Sequence, residues 1–343
     1  MRKTITALAL AAVVAFALSA AASAHRSSTS LVGAGSSLVA PLVSVWTQPV
    51  DTAFGYQISY SAIGSGGGIS SITSRTVDFG ASDAPLTPDQ MKACGNCVEI
   101  PWALTATTLS YNVPGIPNDL HLNGPTVAGI FLGTIKSWDD PAIKKLNPKL
   151  NLPHLAITPI YRSDPSGDTF VITDYLSKVS PAWSKQVGSG TTVGWPTGVG
   201  EKGNSGVAGQ ISTDPGAIGY ISAAYTLSNH LPVAALQNAS GAFATPGLRG
   251  ITAAASTLPK KVSVNRGVSL VNPPKGNKLA YPMATFTYVI IPSRSSKATE
   301  LRKFVYWAVT QGQSYGAKLI FAKLPNQVLV ADEKALKLIQ PGT

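Results

Sequence analysis

Histidine and cysteine are scarce in this chain, and their scarcity removes whole classes of chemistry. The imidazoles are His25, His121, His154 and His230, and none stands at a spacing that suits a pair of metal ligands. Cys94 and Cys97 are the two thiols, so a zinc centre would lack two ligands. Their segment, ACGNCVEIP, is loop-like and lacks the strand-to-helix setting of a redox Cys-x-x-Cys. In an exported protein such a pair is expected to form a small structural disulfide. No P-loop and no H-E-x-x-H is spelled anywhere, which argues against nucleotide-driven phosphoryl transfer and zinc-dependent proteolysis. No metal and no cofactor are expected.

Charge is sparse as well. Charged residues make up 13% of the chain against 44% hydrophobic ones, the profile of an ordered globular protein rather than a disordered one. Acidic residues are outnumbered 16 to 27, for a net charge of +11. That excess favours anionic partners through steering, or reflects a generic basic surface. The basic residues are scattered, with short pairs such as Lys144-Lys145 and Lys260-Lys261. No basic stripe with interleaved aromatics appears, so nucleic acid is not an expected partner.

Long apolar runs are missing except at the start. Arg2 and Lys3 precede Ile5–Ala22, and the run ends in Ala22-Ser23-Ala24, the small-residue signature of signal-peptidase cleavage. Residues 1–24 are therefore expected to be a signal peptide rather than a membrane anchor, and the mature protein periplasmic or secreted. With no cysteine beside the cleavage site, no lipid anchor is expected.

The remainder is long enough for two lobes. Short β-rich runs alternate with helical stretches, which predicts an α/β fold. Expected strands are Gln57–Ile63, Thr107–Val113, Ile157–Arg162, Ala217–Ser222 and Thr285–Ile291. Apolar spacing predicts helices over Leu38–Thr47, Phe170–Val179, Ala298–Gln311 and Asp332–Ile339. Stretches rich in Pro and Gly at Val113–Pro125, Gly194–Gly206 and Val271–Gly276 read as surface loops.

Three turns share one chemistry. Tyr161–Phe170 (YRSDPSGDTF) runs from a strand into a helix through Arg162, Asp164 and Ser166. A guanidinium offers a planar fork of donors, a serine adds a hydroxyl, and the free amides of a helix start point the same way. Asp164 is expected to orient Arg162. A second turn, Ile63–Ile69, carries four glycines in five positions, more than tightness requires and each costing up to about 1 kcal/mol against Ala. Close backbone approach explains them better. A third, Val32–Leu38, leads into a helix with Ser37 beside it, and a purely structural cap is equally consistent with it. Val77–Pro85 sets Asp83 in a small-residue loop. An aspartate there commonly caps or turns the loop. The sharper reading is that an anion still carrying a proton can donate it to such a carboxylate and one without a proton cannot, so that Asp83 is expected to separate phosphate from sulfate. The spelling G-x-G-x-x-G at Gly198–Gly203 follows Trp195-Pro196 rather than a strand, and reads as accidental.

With these motifs in view the chain resembles the periplasmic phosphate-binding proteins of high-affinity phosphate ABC transporters. The resemblance runs through VGAGSS (Val32–Ser37), YSAIGSGGG (Tyr60–Gly68), TVDFGASDAPL (Thr76–Leu86), IFLGTIKSWDDPAI (Ile130–Ile143), YRSDPSGDTF, Val187–Val207 and PGAIGYI (Pro215–Ile221). It implies a type II periplasmic-binding-protein fold, two α/β lobes joined by two hinge crossings near Trp102–Ala106 and Pro282–Thr285. One lobe would comprise 25–103 plus 284–343, the other 104–283. It also implies a phosphate site of Ser37, Leu38, Ser65, Asp83, Arg162, Ser166, Gly167 and Asp168, with Asp164 and Thr169 behind it. The partners would be inorganic phosphate and a membrane permease, and the protein a monomer and no enzyme. Ser37 and Asp168 stand where the family commonly has Thr. A carboxylate at Asp168 would oppose an anion unless it turned away and offered only its amide, with Thr169 then supplying the hydroxyl. The competing readings are a secreted phosphatase, a receptor for another tetrahedral oxyanion such as sulfate or arsenate, and a surface protein that binds neither.

Overall fold

A computed structural model describes residues 29–118 and 120–342 of the chain. The expected signal peptide, with His25, lies outside the described residues. Eight strands form one mixed sheet: β1 (Thr29–Gly35), β2 (Tyr56–Ser61), β3 (Phe79–Ser82), β4 (Val98–Tyr111), β5 (Thr158–Arg162), β6 (Val199–Glu201), β7 (Ala217–Ser222) and β8 (Ala284–Ile291). Their order is β2-β1-β3-β8-β4-β7-β5-β6. Each end is a parallel trio, β2-β1-β3 and β7-β5-β6, and the two central strands run antiparallel to their neighbours.

The long strand β4 joins the two ends. All fourteen of its residues are buried, and a strand covered on both faces reads as a continuous apolar and β-branched run rather than an alternating one. Val98–Ala106 pairs with β8, and Thr107–Tyr111 with β7. The partner changes between Ala106 and Thr107. There the Thr107 amide donates to the carbonyl of Met283 at 3.1 Å, just before β8 begins. The pattern-based strand Thr107–Val113 captured only the second part of β4, because Glu99 and Pro101 interrupt the first.

Other predicted elements shift in bounds. The helix expected at Leu38–Thr47 is α1 (Ala40–Phe54), the Gly-rich turn opens α2 (Ser65–Thr73), and Phe170–Val179 belongs to α3 (Gly167–Val179). The loop expected at Gly194–Gly206 contains β6, and α4 (Gly203–Thr213) starts before it ends. Backbone pairing of Val199–Glu201 with β5 overrode the glycine content there. The C-terminal helices are α5 (Ala298–Val309) and α6 (Asn326–Leu336), the latter starting six residues before the expected Asp332.

Two aromatic clusters hold these layers. Trp46 of α1 packs edge-on against Trp102 of β4 at 5.3 Å, and Phe79 and Phe304 surround Trp102. In the other half, Trp195 stacks on Tyr161 at 5.3 Å and on Tyr220 at 5.5 Å. Each such ring removes roughly 150–250 Å² from water, so these clusters dominate the local packing energy. Cys94 and Cys97 are joined in a disulfide with Cα atoms 5.5 Å apart. It packs with Ile69 and Ile72 on the far end of α2 from Ser65.

Candidate anion site

Every singled-out residue follows the C-terminal end of a parallel strand. Ser36, Ser37 and Leu38 follow β1, Ser65 follows β2, Asp83 follows β3, Arg162–Thr169 end and follow β5, and Asn204 follows β6. In open α/β sheets this edge is where ligands bind. The two trios meet here, and Ser37, Ser65, Asp83, Arg162, Ser166, Asp168 and Thr169 are all buried.

Arg162 is the one buried cation of the cluster, 4% exposed. Its Nε donates to Asp164 Oδ1 at 2.7 Å and Nη2 to Asp164 Oδ2 at 2.5 Å. This is the two-pronged pairing for which guanidinium geometry is suited. Asp164 is held in turn by the Gly203 amide at 2.9 Å. Burial alone would lower the Arg162 pKa, but the Asp164 pair and the Asp168 charge more than offset it and raise it above its ordinary value. Arg162 therefore stays charged, with Nη1 turned toward Asp168 Oδ2 at 3.3 Å.

Asp168 departs from expectation. Its carboxylate does not turn away; it is buried within the cluster and accepts from Thr107 Oγ1 at 2.6 Å, Asn204 Nδ2 at 2.9 Å and Arg162. The reason is the Arg162 guanidinium, which with two hydroxyl and amide donors can stabilise a buried carboxylate that solvent would otherwise claim. Burial still pushes its pKa up, against the pull of Arg162. Thr169 is not free to replace the hydroxyl, because its Oγ1 bonds the Tyr220 hydroxyl at 2.7 Å beneath the site. That same hydroxyl accepts from the Arg162 amide at 2.8 Å, so the second aromatic cluster carries the floor of the site.

Asp83 is 2% exposed. The Ser36 hydroxyl donates to it at 2.6 Å and the Ser65 hydroxyl at 3.3 Å. Burial, and then the charge of Asp168, raise its pKa well above the carboxylate range, opposed by the Ser36 hydroxyl. Ser36 was not singled out from the sequence, whereas Ser37, expected as a ligand group, accepts from Asn204 Nδ2 at 2.9 Å. The pair Ser36-Ser37 gave no signal of which hydroxyl faces the carboxylate.

The hydroxyl oxygens also terminate helices. Ser166 Oγ accepts from the Asp168 amide at 3.1 Å and the Thr169 amide at 3.4 Å, capping α3. The Leu38 amide donates to Ser36 Oγ at 3.1 Å, and the Gly167 amide to Ser65 Oγ at 3.1 Å. The last bond crosses from one half of the sheet to the other, as does Gly66 N–H to the carbonyl of Pro165 at 3.2 Å. Two glycines make this approach possible. A Cβ on Gly167 would lie 2.4 Å from Asp83 Oδ2, and one on Gly64, whose φ is +83°, would lie 2.6 Å from Asp164 Oδ2. The backbone approach expected of the glycine-rich turn is thus an approach to the Asp164-Pro165 turn.

Among the described residues the histidines lie elsewhere. His121 stacks on Phe243 at 4.0 Å, and the exposed His154 pairs with Asp139 at 3.1 Å. The spelling G-x-S-x-G occurs once, at Gly312–Gly316. It sits in the 3-10 turn Gln311–Tyr315, with the exposed Ser314 hydroxyl donating to the Gln311 carbonyl, and lacks the strand-to-helix elbow of a nucleophilic serine. Among the described residues no group of three His, Cys, Asp or Glu side chains could hold a metal ion. None of their helices is long and apolar enough to cross a membrane.

Comparison with known proteins identifies the family and the fold. The family model described as a PBP superfamily domain matches residues 20–311. Phosphate-binding protein PstS of Pasteurella multocida is 39% identical over 304 residues, covering 87% of this chain and 87% of that protein. PstS of Xylella fastidiosa strain Temecula1 is 38% identical over 306 residues, 88% of this chain and 83% of that protein. Among solved structures, the ancestral soluble variant of the human phosphate binding protein has a TM-score of 0.72 at 18% identity. It covers 92% of this chain and 100% of its own. A high-affinity periplasmic phosphate-binding protein bound with phosphate (PfluDING) has a TM-score of 0.69 at 20% identity, covering 89% and 92%. The fold is the type II periplasmic-binding-protein fold.

Proposed function

The chain belongs to the PBP superfamily and, within it, to the phosphate-binding proteins, and from that premise we propose that it captures inorganic phosphate, HPO4²⁻ or H2PO4⁻, outside the cytoplasm. It delivers the ion to a membrane ABC permease. The observation that carries this reading is the convergence, at the strand ends of both halves, of one buried guanidinium, the Ser37, Ser65 and Ser166 hydroxyls and the Leu38, Gly167 and Asp168 amides. Such a set matches a small oxyanion stripped of water, while the inward Asp168 carboxylate, paired with Arg162, opposes it and is the group the ion must meet.

The two lobes are 25–103 with 284–343, and 104–283. They hinge at the partner change in β4 and at the entry to β8. Ser37, Leu38, Ser65 and Asp83 come from one lobe, and Arg162, Ser166, Gly167 and Asp168 from the other, so one ion draws both together. Asp164 orients Arg162, and Thr169 supports the floor. Asp83 accepts the proton that phosphate carries and sulfate lacks. The protein acts as a monomeric, periplasmic or secreted receptor. We read it as a binding protein rather than an enzyme, as the relatives named phosphate-binding proteins suggest.

Calorimetric titration of the mature protein, refolded from denaturant to remove carried ligand, tests the reading. Phosphate is expected to bind at least a hundredfold tighter than sulfate, and Asp83→Asn to narrow that gap tenfold or more. Absence of phosphate binding by the wild-type protein would sink the function. An unchanged gap in Asp83→Asn would sink only the selectivity role.

A further inference from the structure

Asn204 joins site groups from both halves of the sheet, and the sequence reading passed over it because it lies in a segment read as loop. It is the second residue of α4 and 1% exposed. Its Oδ1 accepts from the Ser222 amide at 2.8 Å. A backbone N–H can only donate, so this bond fixes which end of the side-chain amide is oxygen. The NH2 end must then face Ser37 Oγ at 2.9 Å and Asp168 Oδ2 at 2.9 Å. Both amide protons are committed.

Ser37 stands 167 positions away, across the cleft in the other half of the sheet. A hydroxyl that accepts from Asn204 keeps its own proton for another acceptor. We propose that Asn204 is a positioning residue for the bound anion: it clamps the two halves and sets the polarity of Ser37 so that its O–H points to the ion, while holding Asp168 beside Arg162. The inference rests on reading the cleft as the phosphate site. The relay runs from the Ser222 amide through the Asn204 side chain to Ser37 Oγ and on to a phosphate oxygen, and every member donates in the same direction. Aligned chains of this kind polarise one another in a low-dielectric interior.

A merely structural role would be confined to satisfying the Ser222 amide at the start of α4. Asn204→Asp separates the two. It keeps an acceptor for Ser222 and the same shape, but it turns the donors facing Ser37 and Asp168 into acceptors. Ser37 would then donate to residue 204 and turn its proton away from the ion.

The test measures phosphate binding by calorimetry and stopped-flow fluorescence on wild type, Asn204→Asp, Asn204→Ala, Ser37→Ala and the Ser37→Ala/Asn204→Ala double variant. Asn204→Asp is expected to weaken phosphate at least tenfold at pH 7.5, chiefly through faster release, and less so at pH 5, where the added carboxyl can take up a proton. The loss from Asn204→Ala is expected to shrink several-fold in the Ser37→Ala background, because both substitutions break one relay. Wild-type affinity in Asn204→Asp, or losses that simply multiply in the double variant, overturn the proposal. If Asn204→Asp does not fold, the four-protein cycle decides alone. Failure of the wild-type protein to bind phosphate is a separate result that removes the function itself.

Discussion

At the scale of single residues, the chain hides a carboxylic acid that has nothing to do with the cleft. Asp332 on α6 is 1% exposed, and its Oδ2 has no hydrogen-bond partner. Burial, and secondarily the neighbouring Glu333, push its pKa up to about 9 from 3.8. The folded protein therefore keeps a proton there that the unfolded chain gives up above about pH 4. Its contribution to stability is full below that pH and is lost as pH rises toward 9, by at most about 1.4 kcal/mol per pH unit. Asn cannot lose that proton. Asp332→Asn is expected to flatten the fall of unfolding free energy between pH 5 and pH 8, measured by urea denaturation; an unaltered slope would show that Asp332 is ionised in the fold. Arg162 and Asp164 illustrate the opposite case, in which a buried charge is stable because its partner is two residues away and geometrically matched.

At the scale of elements, the candidate site is a set of strand-to-helix turns whose caps include the proposed ligand groups. Ser166 caps α3, and Ser65 opens α2 while reaching Asp83. The sequence patterns located most of these turns, since an apolar strand, a Gly/Ser turn and a 3.6-residue repeat are local signals. They failed where a contact far along the chain decided the outcome. Ser36, not singled out by any pattern, meets Asp83, and β6 forms in a glycine-rich stretch because β5 lies alongside. Gly167 shows the stakes of such fits. A methyl group there suits a helix start but would press on Asp83 from the other half. Gly167→Ala is expected to leave the melting temperature of ligand-free protein within a few degrees of wild type while abolishing the rise caused by millimolar phosphate. A normal phosphate-induced rise in differential scanning fluorimetry would show that the two turns do not need to meet so closely.

At the scale of the whole molecule, the two parallel trios communicate through β4, β8 and the bonds across the cleft. Side-chain and backbone contacts such as Gly167 to Ser65 and Asn204 to Ser37 are individually worth about 1 kcal/mol. An ion that both lobes contact adds free energy that a single lobe cannot collect. The radius of gyration in small-angle X-ray scattering is therefore expected to fall when saturating phosphate is added to ligand-free protein, and to stay constant with sulfate. An equal radius in all three samples would mean that the lobes are held together without the ion.

The sequence by itself determined the α/β class, the Gly/Ser turns at the strand ends, the cysteine pair and the family resemblance, because each is written in local spacing and residue chemistry. Only the tertiary structure decided that Asp168 points inward against Arg162, that Tyr220 carries the floor and that Asn204 bridges the cleft. Those outcomes depend on side chains brought together from distant parts of the chain, where a buried polar group must find a donor or acceptor, and no local pattern says which one it will meet.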